Sequence, residues 1–290
     1  MNVDKLAADV TGGDRRALAR AITLVESARE DDQQDAARLL ELALPRAGGA
    51  VRVGISGPPG VGKSTLIEAL GCRLIEKGEK VAVLAIDPSS PTTGGSLLGD
   101  KTRMERLQAS EHAFIRPSPS SGMLGGTAPR SRDALLLCEA AGFSVVLVET
   151  VGVGQSEIAI ADLVDTVVLL LPPAGGDELQ GQKRGLLERT DVIAINKADG
   201  ERTADAERAR ADYQTAARLF LRSVPGCTVP VLTSSALEGR GIDALWDAVC
   251  AHRQALVDAG QLAVRRAAQA ERALWLAIET ALVAQLHAHP

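Results

Sequence analysis

The chain has 290 residues, 46% of them hydrophobic and only 2% aromatic, with a formal net charge of −5 and an isoelectric point near 5.5. That length accommodates one large domain with appendages or two small ones, around a core of Leu, Val, Ile and Ala. The acidic balance argues against a general nucleic-acid or anionic-membrane surface, which leaves small molecules and proteins as the expected partners.

The first residues carry no apolar signal segment and no run of eighteen apolar residues occurs, so a soluble cytoplasmic protein is expected. Cys72, Cys138, Cys227 and Cys250 lie far apart with no C-x-x-C spacing, as expected of buried free thiols in a reducing compartment.

In chain order, Arg16 to Leu44 carries apolar residues at helical spacing broken by the polar run Glu30 to Asp35, which predicts a helical hairpin. Short β-branched runs then alternate with helical segments: Val51 to Ile55, Val81 to Ile86, Ser144 to Val148, Val164 to Leu171, Val192 to Ile195 and Val229 to Leu232. Near-continuous apolar strands separated by helices predict an α/β fold with a mainly parallel sheet covered on both faces. A ligand is expected at the strand C-terminal ends, where Gly57, Asp87, Glu149 and Asn196 fall. Pro117 to Gly126 reads as a Ser/Pro/Gly-rich loop. Beyond Gly241 one helix runs to about Ala259, and another from Leu262 to His287 carries Leu274, Ile278, Leu282 and Leu286 in a stripe beside Trp275. Such a stripe packs on its own domain or on a second subunit, and a homodimer is expected.

After the first strand stands Gly57-Pro58-Pro59-Gly60-Val61-Gly62-Lys63-Ser64-Thr65, a full match to G-x-x-x-x-G-K-[ST]. Its glycines let successive N–H groups converge on phosphate oxygens, and the following helix adds its positive end. Lys63 supplies a charge for the β and γ phosphates, and the Ser64 hydroxyl is placed to ligate Mg²⁺.

The base is read elsewhere. Asn196-Lys197-Ala198-Asp199 is the N-K-x-D pattern of guanine-nucleotide proteins, in which the Asp199 carboxylate accepts from the ring N–H and the exocyclic amine of guanine. Adenine lacks that donor pair. Asn196 would brace the loops and Lys197 would lay its stem along the base. Ser235-Ala236-Leu237, after a later strand, matches a segment that contacts the guanine oxygen through its backbone.

The γ-phosphate sensor, usually D-x-x-G, is Glu149-Thr150-Val151-Gly152 here, so Glu149 reaches Mg²⁺ either directly or through water, while Gly152 still offers an N–H to the γ-phosphate. Val153 occupies the place where many small GTPases have a water-orienting Gln, and Gln155 comes two residues later. Slow intrinsic hydrolysis that needs help from elsewhere is therefore expected. Asp87 at a strand end and Asp100 after a glycine-rich stretch are candidate metal-shell or switch carboxylates, with a helix cap or turn as the competing reading for Asp87. Arg103 is either a charge stabiliser or an ordinary exposed arginine.

Together, GPPGVGKST, AIDPSSP, GGSLLGDKTRM, VETVGVGQSE, GGDELQGQKRG and NKAD closely resemble the MeaB/ArgK/MMAA family of GTPases, chaperones associated with methylmalonyl-CoA mutase. The resemblance covers about Arg16 to the last helix. It implies a P-loop GTPase domain over 48–259, an N-terminal helical extension over 1–47 and a C-terminal dimerisation arm over 260–290. It also implies the role of a metallochaperone, which binds a cobalamin-dependent acyl-CoA mutase, gates adenosylcobalamin delivery from a cobalamin adenosyltransferase, and protects or reactivates the mutase through GTP binding and hydrolysis. By motif, Lys63, Asp100 and Glu149 would serve catalysis, and Ser64, Asp87, Asp100 and Glu149 the Mg²⁺ shell.

Gly175 to Gly185 matches a third switch of the family, where Gln180, Lys183 and Arg184 would respond to the partner; a solvated helix start is the plainer reading. His112, His252, His287 and His289 lie outside any D-x-H-x-x-G pattern, so cobalamin is expected on the partner and not bound directly here. Two other functions stay open: a metal-insertion GTPase for another metalloenzyme, and a small-molecule kinase linked to amino-acid transport.

Overall fold

The alternation of β-branched and amphipathic segments folds, in a computed structural model, into a parallel sheet with helices on both faces. The structure describes residues 2–27, 29–87, 104–119, 127–150, 159–173, 188–220 and 228–288, with Asp87 described by its backbone only.

Three helices precede the sheet: α1 (Val3–Thr11), α2 (Arg15–Glu26) and α3 (Glu30–Ala43). Asn2 caps α1 by accepting the Lys5 N–H at 2.9 Å, and Asp14 caps α2 by accepting from Arg16 and Ala17 at 2.7 and 2.8 Å. The expected hairpin is present as α2 and α3, and α1 adds a third helix before it. Val3, Leu6, Ala7 and Val10 form the buried face of the additional helix. The polar run Glu30 to Asp35 is itself helical and forms the opening turns of α3, where Asp31 and Asp32 lie near the positive end of the helix dipole.

The rest runs β1 (Val51–Ser56), α4 (Lys63–Glu76), β2 (Val81–Asp87), a short α5 (Glu105–Gln108), β3 (Ala113–Pro119), α6 (Thr127–Ala140), β4 (Val145–Thr150), β5 (Thr166–Leu171), β6 (Val192–Ile195), α7 (Thr203–Phe220), β7 (Val231–Thr233), α8 (Ile242–Asp258) and α9 (Gln261–Ala288). Strand order is β3-β2-β4-β1-β5-β6-β7, and each pairing is parallel. β3 corrects the sequence reading, which has no strand there and begins a loop at Pro117. Pro117 and Pro119 sit on an edge strand, where a missing N–H donor is tolerated.

Period-two alternation divides the core. Ala82, Leu84, Val146 and Val148 face α1, α2, α3 and α6, whereas Val83, Val145, Leu147 and Val168 face α4 and α8. Leu169, Leu171, Ile193 and Ile195 pack against α7. Beneath the sheet, at the strand N-terminal ends, buried charges are paired. Arg52 donates to both Glu139 oxygens at 2.8 Å, and the Gly48 N–H adds a third bond at 2.7 Å.

The first half of α9 is pinned to this end of the sheet. Arg266 makes a two-pronged pair with buried Asp165 at 2.8 and 2.7 Å and donates to the Gly48 and Ala50 carbonyls. Gln269 donates to the Ala161 and Val164 carbonyls, and Arg265 reaches Asp191 at 3.2 Å. Asp191 also faces His252, whose other ring nitrogen meets the Thr166 hydroxyl at 2.9 Å. Further along, Leu274, Trp275, Ile278 and Leu282 are exposed, Trp275 by 59%, so among the described residues nothing covers the expected stripe; the Leu286 side chain lies outside the described residues. Among the described residues no helix is long and apolar enough to cross a membrane.

The cysteine expectation needs amendment. Cys138 is buried, Cys72 is half-buried and Cys250 is exposed on α8; all three are free thiols, and Cys227 lies outside the described residues.

Candidate functional site

Gly57 leaves β1 with φ +149°, and a Cβ there would lie 2.3 Å from the Leu170 carbonyl oxygen on the neighbouring strand. Gly62 closes the loop at φ +97°, where a Cβ would meet the Asn196 amide nitrogen at 2.7 Å. Both positions need the glycine backbone and its lack of bulk. Between them Pro58 is half-buried, Pro59 and Gly60 are exposed, and Val61 is buried in the core.

Gly62 is also the N-cap of α4 and provides no side-chain bond to the helix. The opening N–H groups of α4, over Lys63, Ser64 and Thr65, therefore make an end suited to an anion. Lys63 is only 7% exposed, and its ammonium donates to the carbonyls of Gly57 at 2.7 Å and Pro58 at 3.1 Å. The charge thus lies inside the curve of the loop, where phosphate oxygens can take over from carbonyl oxygens as acceptors.

Glu149, near the end of β4, is paired in register with Ile55 of β1 and is buried to 7% exposure. The Ser64 hydroxyl donates to its Oε1 at 2.9 Å. Two hard oxygen donors side by side, at the first turn of the loop's helix, fit the chemistry of Mg²⁺. Next to them the Thr150 hydroxyl donates to Ser56 at 3.2 Å, tying β4 to β1 just below the loop. The backbone of Asp87 ends β2 on this same side of the sheet. Its side chain lies outside the described residues, as do Asp100, Arg103, Gly152, Val153, Gln155, Gln180, Lys183 and Arg184.

The segment after β6 joins the phosphate loop directly. Asn196 donates to the Val61 carbonyl at 2.8 Å, and its Oδ1 accepts from the Ala236 N–H at 3.2 Å and the Ser234 hydroxyl at 3.3 Å. One buried amide therefore connects the phosphate loop to the loop after β7. Lys197 donates to the Gly60 carbonyl at 2.6 Å, held in a left-handed backbone with φ +60°. Such a conformation costs a non-glycine residue on the order of 1–3 kcal/mol and persists where surrounding bonds enforce it.

Asp199 accepts from the Ser235 hydroxyl on Oδ2 at 2.8 Å and from Arg202 on Oδ1 at 2.6 Å. The Ser235 bond, helped by Arg202, holds its carboxyl below the ordinary value of 3.8 against the opposing pull of desolvation. Leu237 is 81% exposed beside this carboxylate loop. The structure thus brings together Gly57 to Thr65, Glu149, Asn196, Lys197, Asp199, Ser235, Ala236 and Leu237. Sequence reasoning missed Arg202 and Arg240. Arg240 donates to the Ala198 carbonyl at 2.7 Å, and no local spacing marks it.

Comparison with known proteins extends well beyond these motifs. A family model described as methylmalonyl-CoA mutase-associated GTPase MeaB matches residues 18–290. A putative GTPase of Caulobacter vibrioides is 54% identical over 282 residues, covering 97% of this chain and 86% of its own. The mitochondrial methylmalonic aciduria type A homolog of Mus musculus is 46% identical over 298 residues, covering 99% and 72%. Among solved structures, one described as an LAO/AO transport system kinase superposes with a TM-score of 0.83 at 40% identity, covering 99% of this chain and 86% of that one.

Proposed function

The chain belongs to the methylmalonyl-CoA mutase-associated GTPase family MeaB, and from that premise we propose that it is a GTP-driven chaperone of a cobalamin-dependent acyl-CoA mutase. In this reading it gates adenosylcobalamin delivery from an adenosyltransferase and protects or reactivates methylmalonyl-CoA mutase or a related enzyme. The geometric observation that carries the nucleotide switch is Asn196, which bonds to both the phosphate loop and the loop after β7. A change at the phosphates is therefore felt by the residues that read the base.

Lys63 and the N–H groups of α4 hold the β and γ phosphates, and Asp199 accepts from the guanine edge while Ser235, Ala236 and Leu237 flank it. Ser64 and Glu149, with Asp87 and Asp100 as further carboxylates, hold Mg²⁺, which supplies charge neutralisation at the phosphates when bound. Gly152 offers its N–H to the γ-phosphate. Val153 cannot orient water, so turnover is slow alone and rises on the mutase, to which Gln180, Lys183 and Arg184 respond. Cobalamin stays on the partner.

Residues 1–47 form an extension, 48–259 the GTPase domain and 260–290 an arm whose exposed stripe meets a second subunit. The reaction takes place in the cytoplasm. A kinase role, as in the description of the similar crystal structure, is disfavoured because Asp199 matches the donor pair of guanine, which adenine lacks. Co-purification with methylmalonyl-CoA mutase, in GDP and in a non-hydrolysable GTP analogue, tests the partner. Association that depends on the nucleotide is expected; no association with either would overturn the proposal.

A further inference from the structure

Guanine presents its N1–H and 2-amino group as two parallel donors, so an acceptor must offer two oxygens in one plane. A carboxylate on a loop turns freely about its last torsion unless something holds it. Asp199 is held from both sides, by Ser235 from the loop after β7 and by Arg202 from its own turn. Each oxygen accepts one of these bonds and retains lone-pair capacity for the base.

The local backbone explains how Arg202 gets there. Gly200 takes φ +53°, and a single 3₁₀ turn over Gly200–Arg202, closed by the Arg202 N–H on the Asp199 carbonyl at 3.1 Å, folds the chain back on itself. The guanidinium then reaches a carboxylate three residues earlier. Its side chain is 53% exposed while that of Asp199 is 11% exposed, so the arginine approaches from the solvent side. Among the other described cations nearby, Arg240 is occupied with the Ala198 carbonyl and with Glu238 at 2.8 Å, and Lys197 with the Gly60 carbonyl.

We propose that Arg202 is a specificity-determining positioning residue, which aligns the Asp199 carboxylate with the paired donors of guanine and so sets discrimination for the 2-amino group. This rests on the reading of Asp199 as the base acceptor. Loss of Arg202 leaves Ser235 holding one oxygen and lets the other swing. Guanine nucleotides suffer, while hypoxanthine nucleotides, which lack the 2-amino group, change little.

The test is the ratio of GDP to IDP affinity, by calorimetry on the full chain, for wild type, Arg202→Ala, Arg202→Lys and Asp199→Asn. Arg202→Ala should lower the ratio about threefold, the scale of a half-exposed charged pair, with IDP affinity and thermal stability nearly unchanged. Arg202→Lys should restore part of it. Asp199→Asn should collapse the ratio towards one. If Asp199→Asn leaves the ratio intact, the base assignment fails and the Arg202 proposal falls with it. A collapse with Asp199→Asn but no fall with Arg202→Ala, or tighter GDP binding in that variant, overturns the role of Arg202 alone.

Discussion

Lys63 is the residue proposed to hold the phosphates, and its ammonium already lies inside the loop, on the Gly57 and Pro58 carbonyls. Lys63→Ala should abolish GTP turnover while leaving the melting temperature within a few degrees of wild type; retained turnover would refute its phosphate role. Asp133 on α6 carries a different consequence. Burial pushes its carboxyl up to about 6 from the ordinary 3.8, with neighbouring Arg132 pulling the other way. The folded state therefore holds that proton more tightly than the unfolded chain, so stability is lost as pH rises from about 3.8 through about 6. Above that range the full cost applies, roughly 2–3 kcal/mol. Asp133→Asn should raise the melting temperature at pH 7.5, and the gain should vanish near pH 4; a gain independent of pH would contradict this origin. At this scale the phosphate loop and Asn196 to Asp199 were legible because their spacing alone encodes a chemistry. Arg202 and Arg240 were not, because a 3₁₀ turn over Gly200–Arg202 and an isolated bridge between Ser235 and Arg240 place them beside Ala198 and Asp199.

Helix α9 is anchored to the sheet through buried charge. Arg266 satisfies Asp165, which is fully buried and also accepts the Arg52 N–H at 3.2 Å. Arg266→Ala strands that carboxylate and should cost roughly 3–5 kcal/mol, with faster amide exchange along α9. The double change Arg266→Met with Asp165→Asn removes the charge as well and should cost clearly less than Arg266→Ala. Equal losses in the two variants would show that the pair does not carry the anchoring. Hydrophobic periodicity revealed the helix itself, since Leu274, Ile278 and Leu282 recur every four residues. What that pattern could not reveal is that its first half is held by arginines. β3 was hidden for a related reason: an edge strand with two prolines departs from the β-branched signature that marked the buried strands. α1 escaped notice because its buried face, Val3 to Val10, is short and lies among charged residues.

For the molecule as a whole, the sheet places two kinds of surface at opposite ends. Strand C-terminal ends carry Gly57, Glu149 and Asn196, while the N-terminal ends carry the ion pairs that hold α9 and its uncovered stripe. The parallel architecture was readable from near-continuous apolar runs, because strands buried on both faces need apolar residues on each side. Partner identity is a different matter: it follows from kinship with a named family and not from the shape of the site. The proposed coupling to a mutase is read out by GTP turnover measured with and without methylmalonyl-CoA mutase. Slow turnover is predicted for the chain alone, with a clear acceleration when the mutase is added that is lost in Lys63→Ala. Turnover that is unchanged by the mutase at saturating concentration would contradict it.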